Sequence, residues 1–221
     1  MHAELAVVDG NPFVGLFARA SDKLVLVSVS APEKFVEKCK STMKAEVRHV
    51  SVSSCNLVGI FAAMNSNGVV LSCTAYKAEA DAIKALGLNA TIQHGRFTAV
   101  GSNVLANDKA ALVNPLMPKA DIDAIRDTLG VEVMKRKIAG IATVGCAGLV
   151  TNKGLLVHGG TAEEELEELE GIFGVKGAIG TANMGVPFVG LCVVGNSQGY
   201  VAGERTSGFE LSRIDEALGF I

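Results

Sequence analysis

Two residue types in this sequence could support covalent catalysis, because a cysteine thiol becomes a nucleophile when a histidine is placed to remove its proton. His158 falls in one apolar run, and Cys146 and Cys192 fall in two others, so the three side chains could meet at the centre of a fold. Cys192, however, lies inside the apolar run at residues 189–194, and burial raises the pKa of a thiol. We therefore expect the cysteines to be buried core residues, with a Cys–His site as the alternative.

A possible serine nucleophile lies at residues 195–199, which read Gly-Asn-Ser-Gln-Gly and match the G-x-S-x-G elbow of serine hydrolases. That elbow requires a strand followed by a helix, with the serine at the strained apex. Here the segment lies between two apolar runs, so we predict an ordinary hairpin turn. The histidines and cysteines show no metal-ligand spacing, and we predict neither a metal nor a cofactor.

The composition is that of a globular protein, since 49% of the 221 residues are hydrophobic and 19% are charged. The formal net charge of −3 argues against extensive wrapping of nucleic acid, so we expect no DNA partner. The longest apolar run, residues 57–64, is far shorter than the roughly 18 to 20 residues that cross a bilayer. With no secretory signal pattern at the start, we expect a soluble, cytoplasmic protein without a membrane partner.

An internal repeat determines where these residues lie in the fold. The dipeptide Val-Gly recurs at intervals of 44, 42, 44 and 45 residues. The copies at these intervals begin at Val14, Val58, Val100, Val144 and Val189. Seven residues after each valine comes Ser, Asn or Thr, in a short polar segment between two apolar runs. This pattern predicts that each repeat begins with a β-hairpin whose first strand starts at the Val-Gly pair.

A helix and a third strand are predicted after each hairpin. Apolar residues 22, 25 and 29 positions after the valine form the stripe of an amphipathic helix, as at Ile122, Ile125 and Leu129. Potential capping boxes occur at residues 30–33, 161–164 and 207–210. Third strands are predicted at residues 46–51, 90–94, 132–138 and 176–181. Each repeat is therefore predicted to be a ββαβ unit.

The two ends of the chain complement each other. The last repeat has no third strand after its helix, whereas a strand-like segment at residues 4–9 precedes the first repeat. We therefore predict a single-domain α/β ring of five ββαβ units, closed by the N-terminal strand, with small residues of the first strands at its axis. The approximate units are residues 14–57, 58–99, 100–143, 144–188, and 189–221 together with 1–13.

Segments from all parts of the repeat closely resemble the translation initiation factor 6 family of archaea and eukaryotes. They are Asn-Ser-Asn-Gly-Val-Val-Leu at 65–71, the run at 100–115, Leu-Gly-Val-Glu-Val at 129–133, Thr-Asn-Lys-Gly-Leu-Leu-Val-His at 151–158, and Gly-Thr-Ala-Asn-Met-Gly at 180–185. The resemblance runs from about residue 5 to residue 220. The sequence ends directly after the last predicted helix, without the C-terminal tail of eukaryotic members, so we expect an archaeal member of the family.

The resemblance implies the pentein fold, a fivefold pseudosymmetric β/α propeller, and a function without catalysis. Members of the family bind the large (50S) ribosomal subunit and sterically prevent its association with the small (30S) subunit. The implied partner surface is ribosomal protein with nearby rRNA, which agrees with a chain of net charge −3. We expect a monomer. The same ring also occurs in guanidino-group-modifying enzymes, so an enzyme that uses Cys, His and carboxylates is the alternative.

The resemblance also suggests which residues contact the ribosome. The start of the third repeat matches a family position associated with the docking surface, and repeat geometry places the start of the second repeat and the turn before the fifth on the same rim. The residues predicted in this way are Ser102, Asn103, Asn56, Leu57, Asn183, Met184 and Gly185. Asn107 and Asp108 match an Asn-Asp pair of the family at the other end of the first strand, where we expect them to stabilise a turn.

Overall fold

Five three-stranded sheets, each with one long helix, make up the computed structural model of this protein, which describes residues 2–221. In each unit a short helical turn leads into the first strand, and the second strand, the long helix and the third strand follow. The predicted α/β architecture of five ββαβ units is confirmed, and it is a pentein-like fold. None of the helices between residues 2 and 221 is both long and apolar enough to cross a membrane.

The elements have the same order in units 1 to 5. The first strands are Ala18–Ala20, Ala62–Met64, Val104–Ala106, Gly148–Val150 and Val193–Asn196. The second strands are Leu24–Ser28, Gly68–Leu71, Ala110–Val113, Gly154–His158 and Gly199–Gly203. The long helices are Glu33–Met43, Lys77–Lys84, Lys119–Leu129, Glu163–Phe173 and Gly208–Ala217. The third strands are Glu46–Val50, Asn89–Ile92, Glu132–Lys135, Lys176–Gly180 and Ala3–Ala6.

The second strand is the centre of every sheet. It pairs antiparallel with the first strand, as in Leu105↔Leu112, and parallel with the third strand, as in Val133↔Ala111. Both faces of this central strand are covered, which explains why it reads as a continuous apolar run rather than an alternating one. The long helix covers one face with its predicted stripe, and Ile125 and Leu129 are fully buried.

The helix boundaries correct part of the capping prediction. Ser207 and Glu210 form the predicted box, in which Glu210 N donates to Ser207 Oγ and Ser207 N donates to Glu210 Oε2. The other two boxes do not form, because those helices begin at Glu33 and Glu163, after Pro32 and Ala162. The serine or threonine then lies outside the N-cap position, where its side chain cannot reach the first turn.

The N-terminal strand closes the ring as predicted. Ala3–Ala6 pairs parallel with Gly199–Gly203, with Ala3 opposite Tyr200 and Ala6 opposite Gly203. Side chains at both chain ends reinforce this closure, since His2 stacks on Phe220 with ring centroids 4.6 Å apart. The opening segment therefore supplies the third strand of unit 5, and that sheet has the same three strands as the other four.

The axis differs from the prediction in one respect, because each Val-Gly pair starts a helical turn and the first strand begins four residues after the valine. The glycines of these turns crowd together as predicted. A Cβ on any of Gly15, Gly59, Gly101, Gly145 or Gly190 would collide with the carbonyl oxygen of the glycine before it in the ring. Arg19 closes the axis beside them, with Nη2 donating to Gly59 O at 2.6 Å and to Gly101 O at 2.9 Å.

Two faces of the ring follow from these strand directions. The second and third strands both run toward the N-terminal ends of the long helices, so one face contains those helix ends and the segments that link a third strand to the next unit. We call it the helix N-terminal face, and we call its linking segments rim turns 1 to 5, which are residues 7–13, 51–57, 93–99, 136–143 and 181–188. The opposite face, with the hairpin turns and the helix C-termini, is the hairpin-turn face.

Candidate functional site

Asparagines of the hairpin-turn face bind neighbouring units together. Asn107 Oδ1 accepts from the backbone N–H groups of Lys109 and Ala110 in its own turn, at 2.9 and 3.0 Å. Its Nδ2 donates to Thr151 O and Phe173 O of unit 4, at 3.2 and 3.1 Å. Asn65 and Asn196 make the equivalent bonds to units 3 and 1. Asn107 therefore stabilises its turn and also joins two units, and Asp108 helps by accepting from Ser66 N at 2.7 Å.

Two small cavities lie along the axis of the ring. An outer cavity of about 20 Å³ lies among the hairpin turns, and an inner cavity of about 40 Å³ lies beside Arg19. A cavity that holds a water molecule needs a volume, open to the centre of that molecule, of roughly 10 to 15 Å³. The two axial cavities therefore have room for a few waters and not for an organic substrate. Among the described residues, no group of three or more His, Cys, Asp or Glu side chains is placed to hold a metal ion.

Among the residues considered for catalysis, Cys192 has the wrong acidity for a nucleophile. Burial raises the pKa of the Cys192 thiol to about 12, and Cys192 is fully buried. Burial also lowers the pKa of His158, although Glu165 opposes that shift. His158 Nδ1 is occupied, since it accepts from Gly160 N at 3.0 Å. Cys39 and Cys146 are buried as predicted, whereas Cys55 and Cys73 are partly exposed.

A set of carboxylates organises the helix N-terminal face, and the sequence pattern alone did not reveal it. Four of the five long helices have an acidic residue at their third position, directed at the rim turn beside it. These residues are Glu79, Asp121, Glu165 and Glu210, and each accepts a backbone N–H of its rim turn. They all lie 21 residues after the valine of a Val-Gly pair, so the repeat contained a detectable signal. Unit 1 has Phe35 at this position.

Glu210 shows the arrangement in full. Its carboxylate accepts from Gly185 N at 2.8 Å and Met184 N at 3.2 Å in rim turn 5, and from Thr181 Oγ1 at 2.8 Å. It also accepts from Ser207 N at 2.8 Å at the start of its own helix. Burial by itself would raise the pKa of Glu210, but these hydrogen bonds outweigh burial and lower it to about 2. The carboxylate is therefore ionised at neutral pH and fixes the position of rim turn 5.

Exposed apolar side chains are concentrated on the helix N-terminal face. Of six large apolar side chains exposed in residues 2–221, five lie at helix starts or in turns of this face. They are Phe209 at 84%, Met184 and Leu116 at 79%, Tyr76 at 59% and Val29 at 54%. Single exposed apolar residues are common on protein surfaces, but five on one face of a ring indicate a contact surface.

The predicted contact residues separate into two groups. Asn56, Met184 and Gly185 are exposed in rim turns 2 and 5, with Leu57 half-buried beside Asn56. The remaining residues lie below the surface, with exposures of 7% for Ser102, 6% for Asn103 and 5% for Asn183. Asn103 Nδ2 donates to Ala99 O at 2.8 Å, and its Oδ1 accepts from Asn114 Nδ2 at 2.7 Å. The structure therefore brings the first group to one face and gives Asn103 internal partners.

Comparison with known proteins identifies the relatives of this ring. Residues 3–217 match the model of the eIF-6 family. A translation initiation factor 6 from Pyrococcus horikoshii is 41% identical over 227 aligned positions, with 100% of both chains covered. Factors of the same name from Methanosarcina mazei and Thermoplasma acidophilum are 41% and 36% identical, and the alignments cover 94% and 93% of this chain and 94% of each relative. On this similarity along its length, the chain belongs to the eIF-6 family, and the relatives named here are archaeal translation initiation factors.

Proposed function

We propose that this protein binds the large ribosomal subunit through its helix N-terminal face and sterically prevents association of the large and small subunits. The proposal is supported by membership of the eIF-6 family and by relatives whose names describe translation initiation factors. The observation that carries it is the concentration of exposed apolar residues on that face. In this role the protein is a cytoplasmic monomer and acts without catalysis.

The partner surface is ribosomal protein with rRNA nearby. Exposed apolar side chains such as Phe209 and Met184 gain by packing against protein, where burying a side chain of this size contributes about 1.5 to 3 kcal/mol. The positive N-terminal ends of the five long helices lie on the same face, but carboxylates at the third position of four of them offset that charge, so rRNA phosphates gain little there. A net charge of −3 gives little long-range attraction to RNA, so shape and apolar contact determine the docking position.

The blocking mechanism depends on rigidity. Among the described residues, asparagine hydrogen bonds on the hairpin-turn face join three of the five pairs of neighbouring units, and close glycine contacts at the axis join all five. A rigid ring fixed on the intersubunit surface occupies volume that the small subunit needs, and no conformational signal is required. The hairpin-turn face then points away from the large subunit.

The alternative of a guanidino-group-modifying enzyme has less support. Such an enzyme needs an axial cavity that admits a substrate, whereas the axial cavities measure about 20 and 40 Å³ and Arg19 lies across the axis. It also needs a reactive thiol, whereas burial raises the pKa of Cys192 to about 12. In the described residues, this surface has no feature that favours binding to DNA or to a membrane.

Sedimentation of ribosomal subunits tests the proposal. Purified protein added to dissociated archaeal ribosomes should move with the large subunit through a sucrose gradient and should be absent from the small-subunit fractions. When the magnesium concentration is raised to favour joining, the protein should reduce the peak of joined ribosomes in proportion to its occupancy. A protein that stays at the top of the gradient, or leaves joining unchanged at full occupancy, would contradict the proposal.

A further inference from the structure

Rim turn 3 differs from the other four rim turns. The others each close with a backbone bridge, namely Val8↔Asn11, Val52↔Cys55, Ile138↔Ile141 and Ala182↔Val186. In three of these the tip is a pair of residues with positive φ, as at Ser53 (59°) and Ser54 (53°). Within residues 93–99 no such bridge forms, and the backbone bonds run from Thr98 N to Arg96 O and from Val100 N to Thr98 O, both at 3.1 Å.

Gln93 explains part of this difference. The first residue of each bridge is apolar and fully buried: Val8, Val52, Ile138 or Ala182. In rim turn 3 the position six residues before Val100 is occupied by His94, which is exposed. Gln93, one residue earlier, is the buried residue instead, with 1% exposure. Neither the oxygen nor the nitrogen of the Gln93 amide has a hydrogen-bond partner among residues 2–221. An unpaired buried amide destabilises a fold, so this side chain weakens its own segment.

Asp121 has a similar unpaired atom. Its Oδ1 accepts from Gly95 N at 3.0 Å, but its Oδ2 is buried and has no partner within the described chain. In unit 2 the equivalent Glu79 uses both oxygens, accepting from Ser53 N, Ser54 N and Tyr76 N at 2.8, 3.1 and 2.9 Å. Aspartate is one methylene shorter, and the residue before its helix is Pro118, which has no N–H to donate.

Both unpaired groups therefore underlie one segment of the proposed contact face. His94, Arg96 and Thr98 are exposed on that segment, and Asn103 holds its end through Ala99 O. A segment with few internal hydrogen bonds opens at a low cost in free energy. We therefore expect rim turn 3 to rearrange more readily than the other four rim turns. An unpaired buried polar group in a native protein calls for an explanation, and a function of its segment is one such explanation.

We propose that rim turn 3 rearranges when the protein docks, so that Gln93 and Asp121 bind hydrogen-bond donors of a ribosomal protein. This inference rests on the function proposed above. A carboxylate oxygen requires a donor and repels phosphate, so the occupant is a peptide segment with backbone N–H groups or a lysine or arginine side chain, rather than RNA. In the free protein the two groups have no partner within the described chain, and docking supplies partners from the ribosomal protein.

The variant Gln93→Val tests the proposal, because a buried valine begins the bridge in rim turns 1 and 2. We expect it to raise the Tm of the free protein by about 2 to 4 °C and to weaken binding to purified large subunits about tenfold. Gln198→Val is the matched control, since Gln198 is exposed on the hairpin-turn face, and it should change neither quantity. An unchanged or lowered Tm in Gln93→Val, or unchanged binding, would overturn the proposal.

Hydrogen exchange gives a second readout. Backbone amides of residues 95–98 should exchange faster in the free protein than those of the bridged residues 52–55, and docking to the large subunit should slow them. Exchange that docking leaves unchanged, or slows only in the presence of isolated rRNA, would overturn the ribosomal-protein assignment. If the unmodified protein fails to sediment with large subunits, the proposed function fails with it, whereas normal sedimentation with an unchanged Gln93→Val Tm refutes this inference alone.

Discussion

At the scale of single residues, carboxylates at the third helical position do most to shape the proposed contact face. Glu210 receives backbone and side-chain hydrogen bonds from its rim turn and its helix start, and its pKa falls from 4.5 to about 2 as a result. A carboxylate whose pKa is lowered by folding stabilises the folded state above its unfolded pKa. That contribution is lost as the pH falls through the folded pKa.

We therefore predict that Glu210→Gln lowers the free energy of unfolding by about 2 kcal/mol at pH 7, since charged hydrogen bonds are lost. The difference between the variant and the unmodified protein should shrink as the pH falls from about 5 to about 2, because the native carboxylate is then protonated too. Urea unfolding at several pH values measures this. Glu216→Gln, an exposed residue of the same helix, is the control, and a pH-independent deficit in Glu210→Gln would contradict the electrostatic explanation.

At the scale of elements, rim turn 5 and the start of the fifth long helix form one apolar projection. Met184 and Phe209 are 79% and 84% exposed, and Glu210 connects the two elements by accepting from Met184 N at 3.2 Å. The side chains protrude from backbone that is already held in place, so little ordering is needed on docking. Met184 and Phe209 are thus among the most exposed apolar side chains of the helix N-terminal face.

The double variant Met184→Ala, Phe209→Ala should weaken large-subunit binding at least about tenfold and leave the Tm nearly unchanged, because exposed side chains contribute little to folding. Quantitative co-sedimentation and thermal unfolding measure the two effects. Ile221→Ala is the matched control, because Ile221 is 77% exposed but follows the last helix on the opposite face. Equal loss of binding in both variants would show that general hydrophobicity, rather than this face, drives association.

At the scale of the whole molecule, the ring depends on close approach of five backbone turns at the axis. A Cβ at Gly101 would collide with the carbonyl oxygens of Gly59 and Ala62, which belong to a different unit and cannot shift independently. Because the contact repeats around the ring, a displacement at one glycine is transmitted to its neighbours.

Gly101→Ala should therefore lower the free energy of unfolding by more than about 3 kcal/mol, as overpacking of a backbone contact does. Gly171→Ala is the matched control, since Gly171 lies in the long helix Glu163–Phe173 with no atom within 4 Å of an added Cβ. That substitution should raise the free energy of unfolding by about 0.5 to 1 kcal/mol through helix propensity. Chemical unfolding compares them, and a neutral Gly101→Ala would show that the axis is loosely packed.

The repeat, its five copies, the ββαβ order and the closing strand were all predictable from the sequence, because they depend on local patterns. Apolar stripes and turn residues repeat with the chain and need no knowledge of distant contacts. The same patterns missed the helical turns at Val14 and its equivalents, since a short apolar run before a strand looks like part of that strand. Of the predicted contact residues, Asn56 and Met184 lie exposed in rim turns of one face, and their contact with the ribosome stays a prediction.

Tertiary structure alone decided which side chains reach the surface and which are paired. Asn103 and Asn56 are both polar residues near the start of a unit, yet the first is 6% exposed and bonded to Ala99 and Asn114, while the second is exposed. Arg19 reaches carbonyl groups 40 and 82 residues away, at an axis that exists only once five units meet. Burial and hydrogen-bond pairing are set by neighbours from other units, and no local periodicity encodes those neighbours.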